Sequence, residues 1–216
     1  MNEQQRAALK ALRSNRTNTI YSDLTLRCNG VDFSLHRVIV CPQSRRIYQA
    51  QTASRTGVID ESLFSAATVG RVILFLYDQC YRWQTDQLSA SPTAAEVFQL
   101  LLMQIDVHTA AVHFEIDALV ACCEQDFSAT LPMIRSSGGD CSLLVNLAEL
   151  IYRIPTREAA RLWQAVVFAF VYGFGQAPWR NVDWRDNEQR VAFMRDIDAV
   201  HWSMQNPFLP AVGRGA

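Results

Sequence analysis

The feature that most constrains this chain is a stretch of twelve residues, Leu24 to Leu35. Leu24, Leu26 and Cys28 alternate with Thr25 and Arg27, and Val31, Phe33 and Leu35 alternate with Asp32 and Ser34. Period-two alternation puts one apolar set on one face of a strand. Between the two runs stands Asn29-Gly30, and both residue types tolerate positive φ, as a two-residue hairpin turn requires. The reading is an antiparallel pair with one face toward a core.

After His36 the period changes. Val38, Ile39 and Cys41 are apolar, Pro42 interrupts, and Ser44 is placed to cap a helix through Ile47, Tyr48 and Ala50. Val58 and Ile59, after Gly57, predict a short third strand. Thr68 opens a helix carrying Val69, Val72, Ile73, Leu76 and Tyr77. Trp83 to Pro92 is polar and turn-like, and Ser91-Pro92 precedes a long helix with Val97, Leu100, Leu101, Ile105, His108 and Ala111. Another helix starts at Asp117, with Leu119, Val120, Cys123 and Phe127 inward. Ser136-Ser137-Gly138-Gly139-Asp140 is the clearest linker by composition. Helices follow near 141–151, 156–172 and 186–201, the second starting at Pro155-Thr156-Arg157-Glu158. Strands lie early and helices dominate afterwards, so the fold class is α+β rather than a doubly wound sheet. The expected division is an N-terminal helix or arm at 1–17, a domain at 18–131, a linker at 132–140, a helical extension at 141–206 and a disordered tail at 207–216.

Function classes narrow next. The chain has 216 residues, half of them hydrophobic, and a formal net charge of −1. That charge offers no basic field for nucleic acid or an anionic membrane. Leu162 to Trp179 is uncharged, but it contains Gln164, Gly173, Gly175, Gln176 and Pro178, and reads as a core helix ending at glycines. The six cysteines show no CxxC pair and no metal-ligand spacing, which suits reduced thiols in an intracellular protein, cytoplasmic or nuclear. No metal or cofactor is expected. His108 and His113 are five residues apart, on different faces of one helix, whereas helical metal pairs sit at i and i+4. A nucleophile elbow, a P-loop, a dinucleotide fingerprint and a zincin motif are absent from the sequence, so no enzyme is expected. Cys41 or Cys80 would need a histidine close in space to act as a nucleophile. Trp179 and Trp184, in a polar stretch, are candidate exposed interface aromatics. Asp23 before the first strand and Arg37 at the strand-to-helix switch could pair strongly if both were partly buried.

Five segments, in order, resemble the BTB/POZ family and its short members from filamentous fungi. Tyr21-Ser22-Asp23-Leu24 resembles the SDL opening. Phe33-Ser34-Leu35-His36-Arg37-Val38-Ile39 resembles F-x-x-H-(K/R)-x-(V/I)-L. Ser44-Arg45-Arg46-Ile47-Tyr48 resembles S-x-x-F. Leu74 to Tyr81 resembles (F/Y)-L-Y-T-x-x-Y. Val107 to Leu119 resembles V-Y-x-L-A-D-K-Y-x-I-x-x-L. The resemblance covers about 18–131. It implies a small sheet flanked by helices, followed here by an all-helical extension. It implies a protein-binding adaptor that homodimerises and, in some members, recruits substrates to a cullin ubiquitin-ligase complex. The alternative is a self-associating structural or regulatory module with no ubiquitin-ligase partner. By the same resemblance, Asp23, His36 and Arg37 belong to a charged pocket at a dimer centre. The chain departs from the family in two places. Ala50 to Thr68 is short and carries only Asp60 and Glu61 as acids. Ala111-Val112-His113-Phe114 stands where A-D-K-Y is usual.

Overall fold

The computed structural model describes residues 21–54, 56–82, 86–174 and 187–205. The expected N-terminal helix, the C-terminal tail, Trp179 and Trp184 lie outside these residues. The described residues form two compact units, one of those up to 87 together with 106–123, the other of 88–105 together with those from 124 to 205.

The first unit is built on the hairpin. Strand β1 (Leu24–Cys28) pairs antiparallel with β2 (Val31–Leu35), in the register Leu24 to Leu35 and Cys28 to Val31. Asn29 and Gly30 both adopt positive φ, at 49° and 82°, which matches the right-handed twist of the strands they join. The third strand, β3 (Val58–Glu61), runs parallel to β1 on its other side, so the sheet order is β2-β1-β3. Leu24, Leu26, Cys28 and Leu35 are buried, as the alternation predicts, but Phe33 is only half-buried and Val31, directly after the turn, is 44% exposed, because the core does not reach the turn end of β2.

Two short helices connect β2 to β3: α1 (Arg37–Val40) and α2 (Arg45–Ala53). The Ser44 hydroxyl accepts the Ile47 N–H at 3.1 Å and donates to the Phe114 carbonyl at 2.6 Å, so one buried side chain caps α2 and holds it to a distant segment. Helix α3 (Ala66–Asp78) is capped by Ser65 and buries a run from Thr68 to Tyr77. A helix apolar on nearly all sides belongs inside a fold. Arg71 on α3 makes a two-pronged ion pair with Asp86, which ties the following loop back to the helix. The end of α4 (Ala94–His113) and the start of α5 (Asp117–Thr130) complete this unit with Val107, Ala110, Ala111, Phe114, Ile116 and Leu119.

The second unit is helical. It takes the first turns of α4 and the later turns of α5, then α6 (Met133–Ser136), α7 (Cys141–Ile151), α8 (Thr156–Phe168) and α9 (Asn187–Gln205). Its core joins Val97, Leu101, Phe127, Ile134, Leu147, Leu162, Val166, Phe170 and Phe193. Within the expected linker division at 132–140, Met133–Ser136 is helical and Ile134 is fully buried. Asp140 caps α7 by accepting the Ser142 N–H at 3.0 Å. The apolar run expected from Leu162 to Trp179 is described as far as Phe174 and is helical there, with Leu162, Val166 and Val167 buried. It changes to π-helical turns over Ala169–Phe174, which keep Phe170 buried beside Phe193, their rings 4.8 Å apart. Among the described residues no helix is long and apolar enough to cross a membrane. None of the six cysteines is in a disulfide.

Candidate functional site

The hairpin register decides where the charged residues meet. The Asp23 N–H donates to the Leu35 carbonyl at 3.1 Å, extending the β1–β2 ladder by one rung. That rung sets Asp23 beside the strand-to-helix switch at His36 and Arg37. The Arg37 N–H then donates to Asp23 Oδ1 at 2.8 Å, and Arg37 Nε donates to the Asp23 main-chain carbonyl at 2.9 Å. His36 is the residue before α1 and makes no side-chain cap, so the Asp23 carboxylate supplies that cap from a neighbouring strand. The guanidinium lies over Gly57, whose carbonyl accepts the Thr25 N–H at 2.9 Å; a side chain on Gly57 would meet Arg37 Nη2 at 3.2 Å.

The structure thus brings Asp23 and Arg37 together through side chain-to-backbone hydrogen bonds. Asp23 is exposed and Arg37 only half-buried, and each side chain bonds to the other residue's backbone. A buried carboxylate–guanidinium pair would need both heads withdrawn from water, and a carboxylate at a sheet edge is not. Asp23→Asn should therefore change the unfolding free energy by less than about 1 kcal/mol, because the amide oxygen still accepts the Arg37 N–H. Urea unfolding measures this, and a loss well beyond that figure would mean the charge itself is structural.

His36 is placed differently from its two partners. It is buried, its N–H donates to the Tyr77 hydroxyl at 2.9 Å, and its Nδ1 lies 2.8 Å from the same oxygen. It therefore holds the switch in position from inside. Beside the exposed Asp23, two apolar side chains also face solvent. Tyr21, two residues before Asp23, is 74% exposed, and Val38, next after Arg37, is 68% exposed. Ile39 and Val40 turn inward instead. Local periodicity over so short a helix does not reveal which apolar residue points out. Burial pushes the nearby Cys41 thiol up, the Arg37 charge pulls against that, and Asp23 adds to it, so the thiol form is favoured at neutral pH. Cys80 is exposed, with its sulfur 3.5 Å from the Arg82 carbonyl.

A second polar cluster in this unit has no local signal in the sequence. His113, the last residue of α4, meets Glu61, the last residue of β3, with Nε2 2.7 Å from Oε2 and side chains 15% and 9% exposed. Glu61 also accepts the Leu63 N–H at 3.0 Å, while Cys28 Sγ and Asn29 Nδ2 both donate to the Phe64 carbonyl. The Phe64 ring stands edge-on to His113 at 5.1 Å. His108, considered with His113 as a metal pair, is buried in the core. Burial pushes the Glu61 carboxyl up, but the Leu63 N–H, the His113 hydrogen bond and the His113 charge outweigh it and leave the pKa below the usual glutamate value. A lowered folded pKa contributes stability that is fully present above the unfolded value and is lost as pH falls through the folded one. The stability gap between the wild type and Glu61→Gln should accordingly be widest near neutral pH and close on acidification across that window. Urea unfolding at a series of pH values tests this; a gap independent of pH would contradict it.

No protein-family model matches this chain, and no curated protein matches it. Among solved structures the chain is similar to the BTB domain of zebrafish PATZ1, at 14% identity, covering 58% of this chain and 92% of that one with a TM-score of 0.42. It is also similar to the BTB (Tramtrack and Bric a brac) domain of human Gigaxonin, at 18% identity, covering 57% of this chain and 91% of that one with a TM-score of 0.42.

Proposed function

We propose that this chain is a protein-interaction module that homodimerises through the face holding Tyr21, Asp23, Arg37 and Val38. The observation that carries the reading is the exposure of two large apolar side chains on either side of a charged pair fixed to the backbone. An exposed Tyr just before β1 and an exposed Val on α1, beside a fixed acid and base, have the composition of an interface core with a polar surround. An acid and a base within one patch are also self-complementary, since a two-fold axis sets each against the other's copy. The order of BTB/POZ-like motifs along the sequence supports the same reading.

Light scattering on a size-exclusion column over a concentration series tests it. The wild type should run as a dimer. Tyr21→Ala with Val38→Glu should weaken association by roughly thirtyfold or more, the equivalent of a hot spot of about 2 kcal/mol, with unchanged circular dichroism. A wild type that stays monomeric, or a variant that dimerises as before, rejects the reading. Recruitment to a cullin scaffold is its further form. Adding a cullin N-terminal domain to the same column should then shift the dimer; an unshifted dimer leaves a self-associating structural or regulatory module.

A further inference from the structure

Of the seven prolines in the chain, only Pro92 follows a serine or a threonine. Ser91-Pro92 lies in the second unit, within residues 88–93, which form neither helix nor strand. Both ends of this segment are held. Leu88 packs against the core of the unit. Thr93 closes the other end in a capping box with Glu96 at the start of α4. The Thr93 N–H donates to Glu96 Oε2 at 2.7 Å, and the Thr93 hydroxyl accepts the Glu96 N–H at 3.3 Å. Between these anchors Ser89, Ala90 and Ser91 are exposed. A proline disfavours helical backbone at the residue before it, which biases Ser91 to an extended conformation. Thr93 is exposed as well, but its hydroxyl donates to Glu96 Oε2 at 2.9 Å and alanine follows it.

We infer that Ser91 is a phosphorylation site for a proline-directed serine/threonine kinase. A kinase takes its substrate as an extended segment and must reach the hydroxyl, and an exposed stretch without secondary structure allows both. A kinase subsite with no acceptor for an N–H selects proline after the serine, because any other residue would leave its N–H unpaired there. The Ser91 hydroxyl oxygen attacks the γ-phosphorus of ATP, and a new O–P bond forms as the bond to the bridging oxygen breaks. ADP leaves, and the hydroxyl proton passes to the kinase's catalytic aspartate. The phosphoserine carries close to two negative charges at neutral pH. Two influences on the fold then oppose each other. The start of a 20-residue helix attracts an anion, and Glu96 in its first turn repels one. The phosphate therefore serves as a mark for an arginine-bearing partner and not as a switch of the fold. The site lies in the second unit and is independent of the dimer reading.

The test is to incubate the full, folded chain with a mitogen-activated protein kinase and magnesium ATP, and to read the product by intact-mass and fragment mass spectrometry. A phosphate on Ser91 is expected. Ser91→Ala should abolish modification of this segment, and Pro92→Ala should slow it at least about tenfold. Ser89→Ala should leave the rate unchanged. All three variants should keep the circular dichroism of the wild type, so that a lost phosphate is not a lost fold. The phosphorylated chain should melt within about 4 °C of the unmodified one. No phosphate on Ser91 in the folded chain, equal rates for the wild type and Pro92→Ala, or a larger shift in melting temperature would each overturn the proposal.

Discussion

Replacing Tyr77 by phenylalanine is expected to lower the unfolding free energy by about 2–4 kcal/mol, although it removes a single oxygen. Tyr77 has no exposed surface, and its hydroxyl accepts the His36 N–H at 2.9 Å while lying 2.8 Å from His36 Nδ1. His36 is itself 4% exposed, so water cannot simply replace the oxygen. Phenylalanine fills almost the same space, and the loss comes from polar groups left buried without a partner, at about 1–3 kcal/mol each. Urea unfolding with an unchanged m-value would isolate this effect. A loss under about 0.5 kcal/mol would show that the switch does not depend on the hydroxyl. The functional consequence contrasts with Asp23→Asn. Tyr77 sets the start of α1 from inside, so its loss should weaken stability and, with it, the proposed self-association. Asp23 acts at the surface, so its loss should spare stability.

The second large effect is expected at Gly139, where alanine should cost about 2–4 kcal/mol. A Cβ there would lie 2.7 Å from Ile134 Cγ2, 2.8 Å from the Ile134 carbonyl oxygen and 3.1 Å from Ala94 Cβ. Two of these atoms belong to a fully buried residue, and one is backbone that also accepts the Gly139 N–H at 2.8 Å. Nothing there can give way cheaply. The neighbouring Gly138 has φ +76° and open space around it, so alanine at 138 should cost only the backbone strain, about 1 kcal/mol. Thermal or urea unfolding of the two variants side by side reads the order directly. A larger loss at 138 than at 139 would mean that backbone conformation, and not packing, governs this turn.

How much of this was legible in the sequence depends on range. The β1–β2 hairpin could be read because alternation and the Asn29-Gly30 turn act between near neighbours. The caps at Ser44 and Ser65 belong to the same class, since a hydroxyl reaching an N–H three residues on is local geometry. The parallel pairing of β3 with β1 carried no signal, because nothing in Val58–Glu61 names its partner strand. The same is true of Glu61 with His113, 52 residues apart, and of Ser44 with the Phe114 carbonyl, 70 apart. At Gly138-Gly139 the composition of a linker concealed a close approach to Ile134.

The candidate site divides along the same line. The order of motifs brought Asp23, His36 and Arg37 to notice, and the sequence by itself determined that an acid, an imidazole and a base stand at the start of β1 and the end of β2. Only the tertiary structure decided their roles. The hairpin register placed Asp23 against the Arg37 N–H, α3 supplied Tyr77 to bury His36, and the turn of α1 left Val38 in water while Ile39 and Val40 went inward. The physical reason is that local periodicity fixes which face a residue shares. Which face meets solvent, and which polar group finds a partner, depends on segments that come together only when the chain folds.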